Sequence, residues 1–462
     1  MNGGTRVSGN TVTLTRNVGV QGNLTVPAGV TLELTEDGGV YLMRDNITLT
    51  VNGILNVPHN GKFGIEQTAT VNGNGTINLT GKGNLLHING RNGKKLTLDG
   101  VTLIGVPDNN ESLVTVSEGG ELVLVSGAIT GNTSNNGGGG VNVGNGGTFT
   151  MSGGTITGNN AVGRGDIFGG GVRVGEGSTF TMSGGEIRGN TATGMDGKGA
   201  GGGVFVHTST FIMEGGAISG NSAIGSGGTE GGGVCMGWEG WDGGGTFTMS
   251  GGEISGNSGG GVSVLTTKAT FTMSGGAITD NTATWASGVG VGLGATFTMK
   301  GGTISGNSGA FGGVGVGSQS TFTMEDGVIS GNSAVANSMI SGTGALGNGG
   351  GVTVEYKNGS AGTFIMKGGT IYGNVGNLPA GAAASLANTA GNGASLFVHG
   401  RAVAQYGKQA PFTSFASLLT EAVDDILVRS TSEVYTSFGG RGTGRTISVN
   451  PETGVLTVTP VR

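Results

Sequence analysis

One twelve-residue phrase recurs along this chain. It reads TFTMSGGTITGN at 148–159, TFTMSGGEIRGN at 179–190 and TFTMSGGEISGN at 246–257. Aligned on its aromatic position, the phrase returns at Phe149, Phe180, Phe211, Phe247, Phe271, Phe297, Phe322 and Phe364. A methionine follows two residues after each phenylalanine, an isoleucine five after that, and an asparagine three later, from Asn159 to Asn374. A divergent copy keeps the offsets at Leu122, Leu124, Ile129 and Asn132. Self-similarity of this kind marks a repeat architecture, in which one coil cannot bury its own inner face and must stack on its neighbours.

Three short segments alternate within each copy. A Gly-rich stretch ends in paired apolar positions (Val141/Val143, Val172/Val174, Val204/Val206, Val262/Val264), then comes Thr-Phe-Thr-Met, then a segment centred on the isoleucine. Period-2 alternation bounded by glycine predicts strands. Copies lie 24 residues apart at their closest, Phe247 to Phe271, and 42 at their widest, Phe322 to Phe364. Three strands in so short a unit describe a coil whose strands stack on their counterparts about 4.8 Å away. The expected fold is all-β: one continuous right-handed, three-sided parallel β-helix with capped ends. Phe, Met, Ile and the paired valines are expected to point inward in columns. The Ser-Gly-Gly corner suits a bend needing positive φ. The asparagine is expected to tolerate the left-handed region at its corner and to bond the asparagines above and below as a structural ladder.

Composition narrows the alternatives. Glycine supplies 107 residues and only 11% are charged, yet 35% are hydrophobic, too many for a Gly-rich disordered chain. Seven prolines and no strict Gly-X-Y period exclude collagen. The net charge of −6, with no block of like charges, argues against nucleic acid and anionic membrane as partners. Cys235 is the sole cysteine, and His59, His87, His207 and His399 lie far apart, so neither a metal site nor a cofactor is expected. No apolar run approaches the roughly 18 residues that span a bilayer, and direct membrane insertion by this chain is not expected. The opening MNGGTRVSGN has no apolar signal core, so the extracellular or cell-surface location expected below implies a leader outside this sequence.

The offsets extend upstream through Leu86/Ile88, Leu96/Leu98 and Leu103. This places the regular β-helix at 81–399, irregular opening coils with an N-terminal cap at 1–80, and a C-terminal cap at 400–462. That cap is expected to hold a helix carrying Phe412, Phe415, Leu418, Leu419, Val423 and Ile426, then a hairpin, TISVNPETGVLTVT, at 446–459. An open solenoid end needs such cover.

The order Ile329, Asn332, Ser333, Ala334, then Gly349, Gly350, Gly351 and Val352 resembles the repeats of bacterial polymorphic outer-membrane and autotransporter adhesins. The GGTISGN variant is similar to spirochaetal repeat surface proteins. The resemblance covers about 120–375. It implies a right-handed, pectate-lyase-like solenoid displayed outside the cell, adhesin-like and non-catalytic, with glycans or host surface molecules as partners.

Function should lie on outward positions, since packing fixes the inward ones. Long segments after the asparagine (160–170, 191–200, 222–230, 333–348) and GWEGWDGGG at 237–245 flank the valine strand and are expected to wall a shallow groove. The last of these carries Trp238 and Trp241, and the shorter segment after Asn281 carries Trp285. Either these fold back on the coil, or they stand exposed to stack on sugar rings, with Glu239 and Asp242 as acceptors. Arg164-Gly165-Asp166 matches the integrin-recognition tripeptide. The outward column of the valine strand reads Asn142, Arg173, Phe205, Cys235, Ser263, Gly290, Gly315 and Thr353. It holds no carboxylate, and Glu186 is expected to pair with Arg188. No carboxylate pair at glycosidase spacing is visible, so no catalytic residue is named, and a β-helix polysaccharide lyase or hydrolase stands as an alternative. The last candidate is a double rank of threonine: Thr148, Thr179, Thr210, Thr246, Thr270, Thr296, Thr321 and Thr363 beside Thr150, Thr181, Thr248, Thr272, Thr298 and Thr323. β propensity and cross-strand contact account for such ranks; ice binding by an ordered hydroxyl array is the sharper alternative.

Overall fold

The computed structural model describes residues 4–335 apart from positions 60, 93, 241 and 242, then 349–357, 360–372 and 383–390, and six further strands between 396 and 460. Contacts divide the chain into two units, Met1–Val234 and Cys235–Arg462. Each is a β-solenoid of stacked parallel strands.

In the first unit three ladders run along the stack. The valine ladder ascends from Val18–Val20 through Val40–Leu42 to Phe63–Ile65, and from Leu86–Asn89 to Val204–His207. The phenylalanine ladder runs from Leu24–Val26 to Thr210–Met213. The isoleucine ladder runs from Thr11–Leu14 to Ala217–Ser219. The last two ladders pass residue 80 without a break. Only Thr5–Ser8 departs, pairing antiparallel with Thr11–Leu14 and closing the first coil.

The second unit repeats the scheme. Its valine ladder runs from Val262–Leu265 to Ile426–Arg429, and its phenylalanine ladder from Thr246–Met249 to Val403–Tyr406. Ile426, expected on a cap helix, instead opens the last parallel strand; Phe412, Phe415, Leu418, Leu419 and Val423 lie outside the described residues. Val434–Thr436 then pairs antiparallel with that strand. The hairpin expected at 446–459 forms between Arg445–Val449 and Leu456–Pro460.

The inward columns are as the pattern requires. Phe149, Phe180 and Phe211 are 0% exposed and stack at 4.7 and 4.8 Å with planes within 6° of parallel. In the second unit the steps from Phe247 to Phe322 are 4.6, 4.7 and 4.8 Å, and the step to Phe364 is 5.1 Å. The coil spacing therefore also sets an aromatic stack. Methionine explains the glycine corner. Gly302 has φ +87°, and a Cβ there would lie 2.6 Å from Met273 Cε of the coil before. Gly185, Gly216, Gly276 and Gly369 meet Met151, Met182, Met249 and Met324 in the same way. Backbone conformation and packing demand glycine together.

The asparagines form the ladder, but not in the left-handed region. That conformation falls on the residue before each, as at Gly158 (φ 63°), Gly189 (61°), Gly306 (68°) and Asp280 (55°). Every laddered asparagine from Asn132 to Asn332 is 0% exposed. Asn190 Oδ1 accepts from the backbone N–H and Nδ2 of Asn159 at 3.0 and 3.2 Å, and its own Nδ2 donates to Ile156 O at 2.9 Å. Asn281, Asn307 and Asn332 repeat this set in the second unit. The next rung there is Asn388, which accepts from Asn332 N and Nδ2; Asn374 lies outside the described residues. The first unit has an earlier rung, Asn109, donating to Asn132 Oδ1 at 2.9 Å.

The segments expected as loops after the asparagine are themselves laddered. Thr133–Ser134, Asn160–Gly163, Thr191–Gly194 and Ser222–Gly225 stack in parallel, followed by Ile167–Phe168, Lys198–Ala200 and Gly228–Glu230. In the second unit Thr282–Ala286, Ser308–Phe311, Ser333–Ala334 and Thr389–Ala390 do the same. Small residues at Ala161, Ala192 and Ala223 face inward, at most 3% exposed, so each added strand buries its own apolar side.

Asn307→Ala strips Asn281 of its acceptor and leaves Ile278 O without a donor, so urea denaturation should show a loss of about 3 kcal/mol or more. Asn307→Asp keeps the shape but cannot donate and should fare no better. The surface change Thr298→Ala should cost under about 1 kcal/mol.

Candidate functional site

Three outward surfaces carry the sequence candidates. The first is the outward column of the valine ladder, expected to floor an open groove. The structure fills that groove instead. Phe205, Cys235 and Thr353 are 0% exposed and Ser263 is 2% exposed, and at Phe205 a strand that follows the asparagine lies over the column as a second layer. Phe168 packs on Phe205 with ring centroids 4.5 Å apart. Over Gly290 lies Trp285, whose Cζ3 would be 2.7 Å from an added Cβ. Gly315 is covered likewise by Phe311 Cδ2 at 2.7 Å, and Trp285 meets Phe311 edge-on at 5.4 Å. Glycines in the column are thus seats for rings of the layer above.

Arg173 is caught at the margin of this layer. It donates to Asn142 Oδ1 at 3.2 Å, and burial of its guanidinium pulls its pKa below the usual arginine range, with Glu176 opposing. Arginine remains the cation here, since its reference value is so high. Burial likewise holds the imidazole of His207 below its ordinary pKa, with Arg173 adding to the effect.

Trp238 is 4% exposed and has folded back on the coil, while Glu239 beside it is exposed. Trp241 and Asp242 lie outside the described residues. Trp285 is half-buried in the covering layer. Arg164 and Asp166 are exposed at the turn between Asn160–Gly163 and Ile167–Phe168, where Gly165 takes φ 80°. Asp166 Oδ1 accepts the backbone N–H of Lys198 at 2.9 Å, so it already stitches one coil to the next. Glu186 and Arg188 do pair, at 3.1 Å. Among the described residues no group of three or more His, Cys, Asp or Glu is placed to hold a metal ion.

The threonine ranks lie in register within each unit, the second rank interrupted at Ile212 and Ile365. In the first unit Thr148 faces Thr179 and Thr150 faces Thr181, and Thr179 then faces Thr210. In the second unit Thr246, Thr270, Thr296, Thr321 and Thr363 lie in strict register, beside Thr248, Thr272, Thr298 and Thr323. Thr246 and Thr270 are exposed and the others half-buried. Among the described residues no laddered strand lies over them, since the added strands follow the asparagine.

A fourth feature escaped the sequence reading. Upstream of Asn109 the valine ladder has no covering layer, and a cavity of about 220 Å³ opens beside Tyr41, Gly64 and His87. Its sequence signal is a glycine between two rings in the outward column, at positions 41, 64 and 87.

No protein-family model, curated protein or solved structure matches this chain.

Burial of Cys235 can be tested directly. Its thiol should resist an aromatic disulfide reagent in the folded protein and react at once in denaturant. Fast reaction without denaturant would show an open groove.

Proposed function

We propose that the chain is a non-catalytic, adhesin-like scaffold working outside the cell, which holds glycans or host-surface molecules on its threonine face. One observation carries this reading: two ranks of threonine stay in register along the phenylalanine ladder of the second unit from Thr246–Met249 to Thr321–Ser330, and the first rank continues to Thr363. The ladder spaces their hydroxyls by about 4.8 Å along the stack and by roughly 6.6 Å across each strand. Each hydroxyl both donates and accepts, which suits an extended partner that itself repeats hydroxyls. The side chains are short and seated on a rigid ladder, so binding costs them little ordering entropy. Weak contacts repeated in register add up as linked sites do.

Ice is the second reading, and the same register favours it. A flat, uncharged array of hydroxyls can order a layer of water in a repeating pattern. Neither reading calls on Trp238, which is buried, or on Trp285, which belongs to the covering layer.

One pair of measurements separates these readings. The purified chain is tested for retention on insoluble cellulose, chitin and peptidoglycan, and for ice shaping with thermal hysteresis. Retention is expected, with the double variant Thr272→Lys, Thr323→Lys weakened by about tenfold or more and its circular dichroism unchanged. Ice shaping without retention would transfer the face to ice. A chain that does neither would end both readings.

A further inference from the structure

The structure assigns a second, pocket-type site at Gly64 in the first unit: a seat for a single neutral pyranose ring. It rests on the glycan reading of the chain but uses a surface separate from the threonine face.

The site follows from a gap in the outward column. Val40–Leu42 and Phe63–Ile65 are parallel neighbours that set Tyr41 opposite Gly64. Valine-ladder neighbours bury their flanking residues, and the middle residue looks out. With no side chain at Gly64, the Tyr41 ring leans across it; an added Cβ there would lie 2.5 Å from Tyr41 Cδ1. Gly39 supports the other edge, with a Cβ 2.9 Å from Tyr41 Cε2. The phenol donates to Gly61 O at 2.6 Å, which pins the ring flat against the ladder. An amphipathic aromatic held in this way is the platform on which the apolar face of a sugar ring packs.

Polar groups close the remaining walls. Lys94 Nζ bonds Glu66 Oε2 at 3.2 Å, with the lysine side chain only 15% exposed. Asn84 Nδ2 donates to Ser112 O at 2.7 Å and to Thr115 Oγ1 at 3.1 Å, and its Oδ1 accepts nothing among the described residues. His87 bonds Ser117 Oγ at 2.9 Å. Burial lowers its pKa below the ordinary value against the pull of Glu118, so at neutral pH it is an uncharged donor and acceptor. Asn89 completes the lining.

Charge and size select the ligand. Lys94 is matched by Glu66, and Arg91 beside the site is matched by Glu118. With the cations paired, the walls offer donors and acceptors without a net charge that would favour a uronate or an amino sugar cation. The cavity of about 220 Å³ lies below the roughly 300–1,000 Å³ of sites for larger ligands. It admits one ring with its substituents, not a chain.

The test uses the full chain and free methyl glycosides of glucose, galactose, mannose and N-acetylglucosamine, followed by ligand-observed NMR and calorimetry. At least one should bind saturably. Tyr41→Ala should weaken it by about tenfold or more, while Tyr41→Phe, which keeps the ring, should stay within about threefold. His87→Ala should also weaken binding and serves if Tyr41→Ala does not fold. The Thr272→Lys, Thr323→Lys variant should bind the free glycoside as the parent does, which keeps this site distinct from the threonine face. No binding across the panel, or full binding by the folded Tyr41→Ala or His87→Ala variant, would overturn the assignment. So would a methyl glucuronide binding about tenfold tighter than every neutral glycoside.

Discussion

The asparagine ladder is the constraint on which the coil depends. Where the chain turns from the isoleucine strand toward the next valine strand, backbone groups are buried and cannot reach a neighbour by strand pairing. An unpaired buried carbonyl costs about 1–3 kcal/mol. Each asparagine amide answers two of these groups, one carbonyl and one N–H in the coil before, and also accepts from the side-chain amide of the asparagine there. The amide must fit where the two ends of the coil approach. A Cβ on Gly171 would lie 3.0 Å from Asn190 Nδ2, and one on Gly288 3.0 Å from Asn307 Nδ2. The Gly-Gly-Gly before the valine is therefore the other half of the asparagine, although the sequence separates them by a variable segment.

That coupling explains what was legible. Phe, Met, Ile and Val columns read directly from period and offset, because their register is locked by which face is buried. The Ser-Gly-Gly corner was read for its positive φ, and the methionine tip beneath it adds a packing reason. Two errors share a cause. Asn388 was missed as a rung because it follows Leu386 and Ala387 rather than the repeated phrase, and only its bond to Asn332 identifies it. Segments after the asparagine were read as loops because their glycine content hides the alternation. Parallel stacking supplied the partners that a lone segment lacks. The sequence could reveal each strand's own pattern but not the strand lying over it, and so the outward valine column seemed open.

The covering layer redistributes function. Where it is present, aromatic rings from the added strands occupy the glycine gaps of the valine ladder: Trp285 over Gly290 and Phe311 over Gly315. Burying such rings contributes about 1.5–3 kcal/mol each, which gives a structural reason for aromatics at positions that looked suited to ligands. Where the layer is absent, at Gly64, the same kind of gap is bordered by Tyr41 from its own ladder and stays partly open to solvent. One local device, a glycine opposite a ring, makes core in one place and a cavity in the other.

The same logic separates the two binding surfaces. Stacked identical rungs generate a flat face, since each outward side chain has the same neighbour above and below. Such a face can present a lattice, as the threonines do, but it cannot enclose a ligand. A pocket requires successive rungs to differ. Long insertions do not supply that difference on the threonine side, because closing a longer segment elsewhere on the coil costs only about 0.6 kcal/mol per doubling of length and leaves the phenylalanine strand in register. The difference is found among the opening coils, where the outward positions change from tyrosine to glycine to histidine in consecutive turns. On the proposed function, extended recognition would fall to the part of the chain where the repeat is most faithful, and enclosed recognition to the part where it is least so.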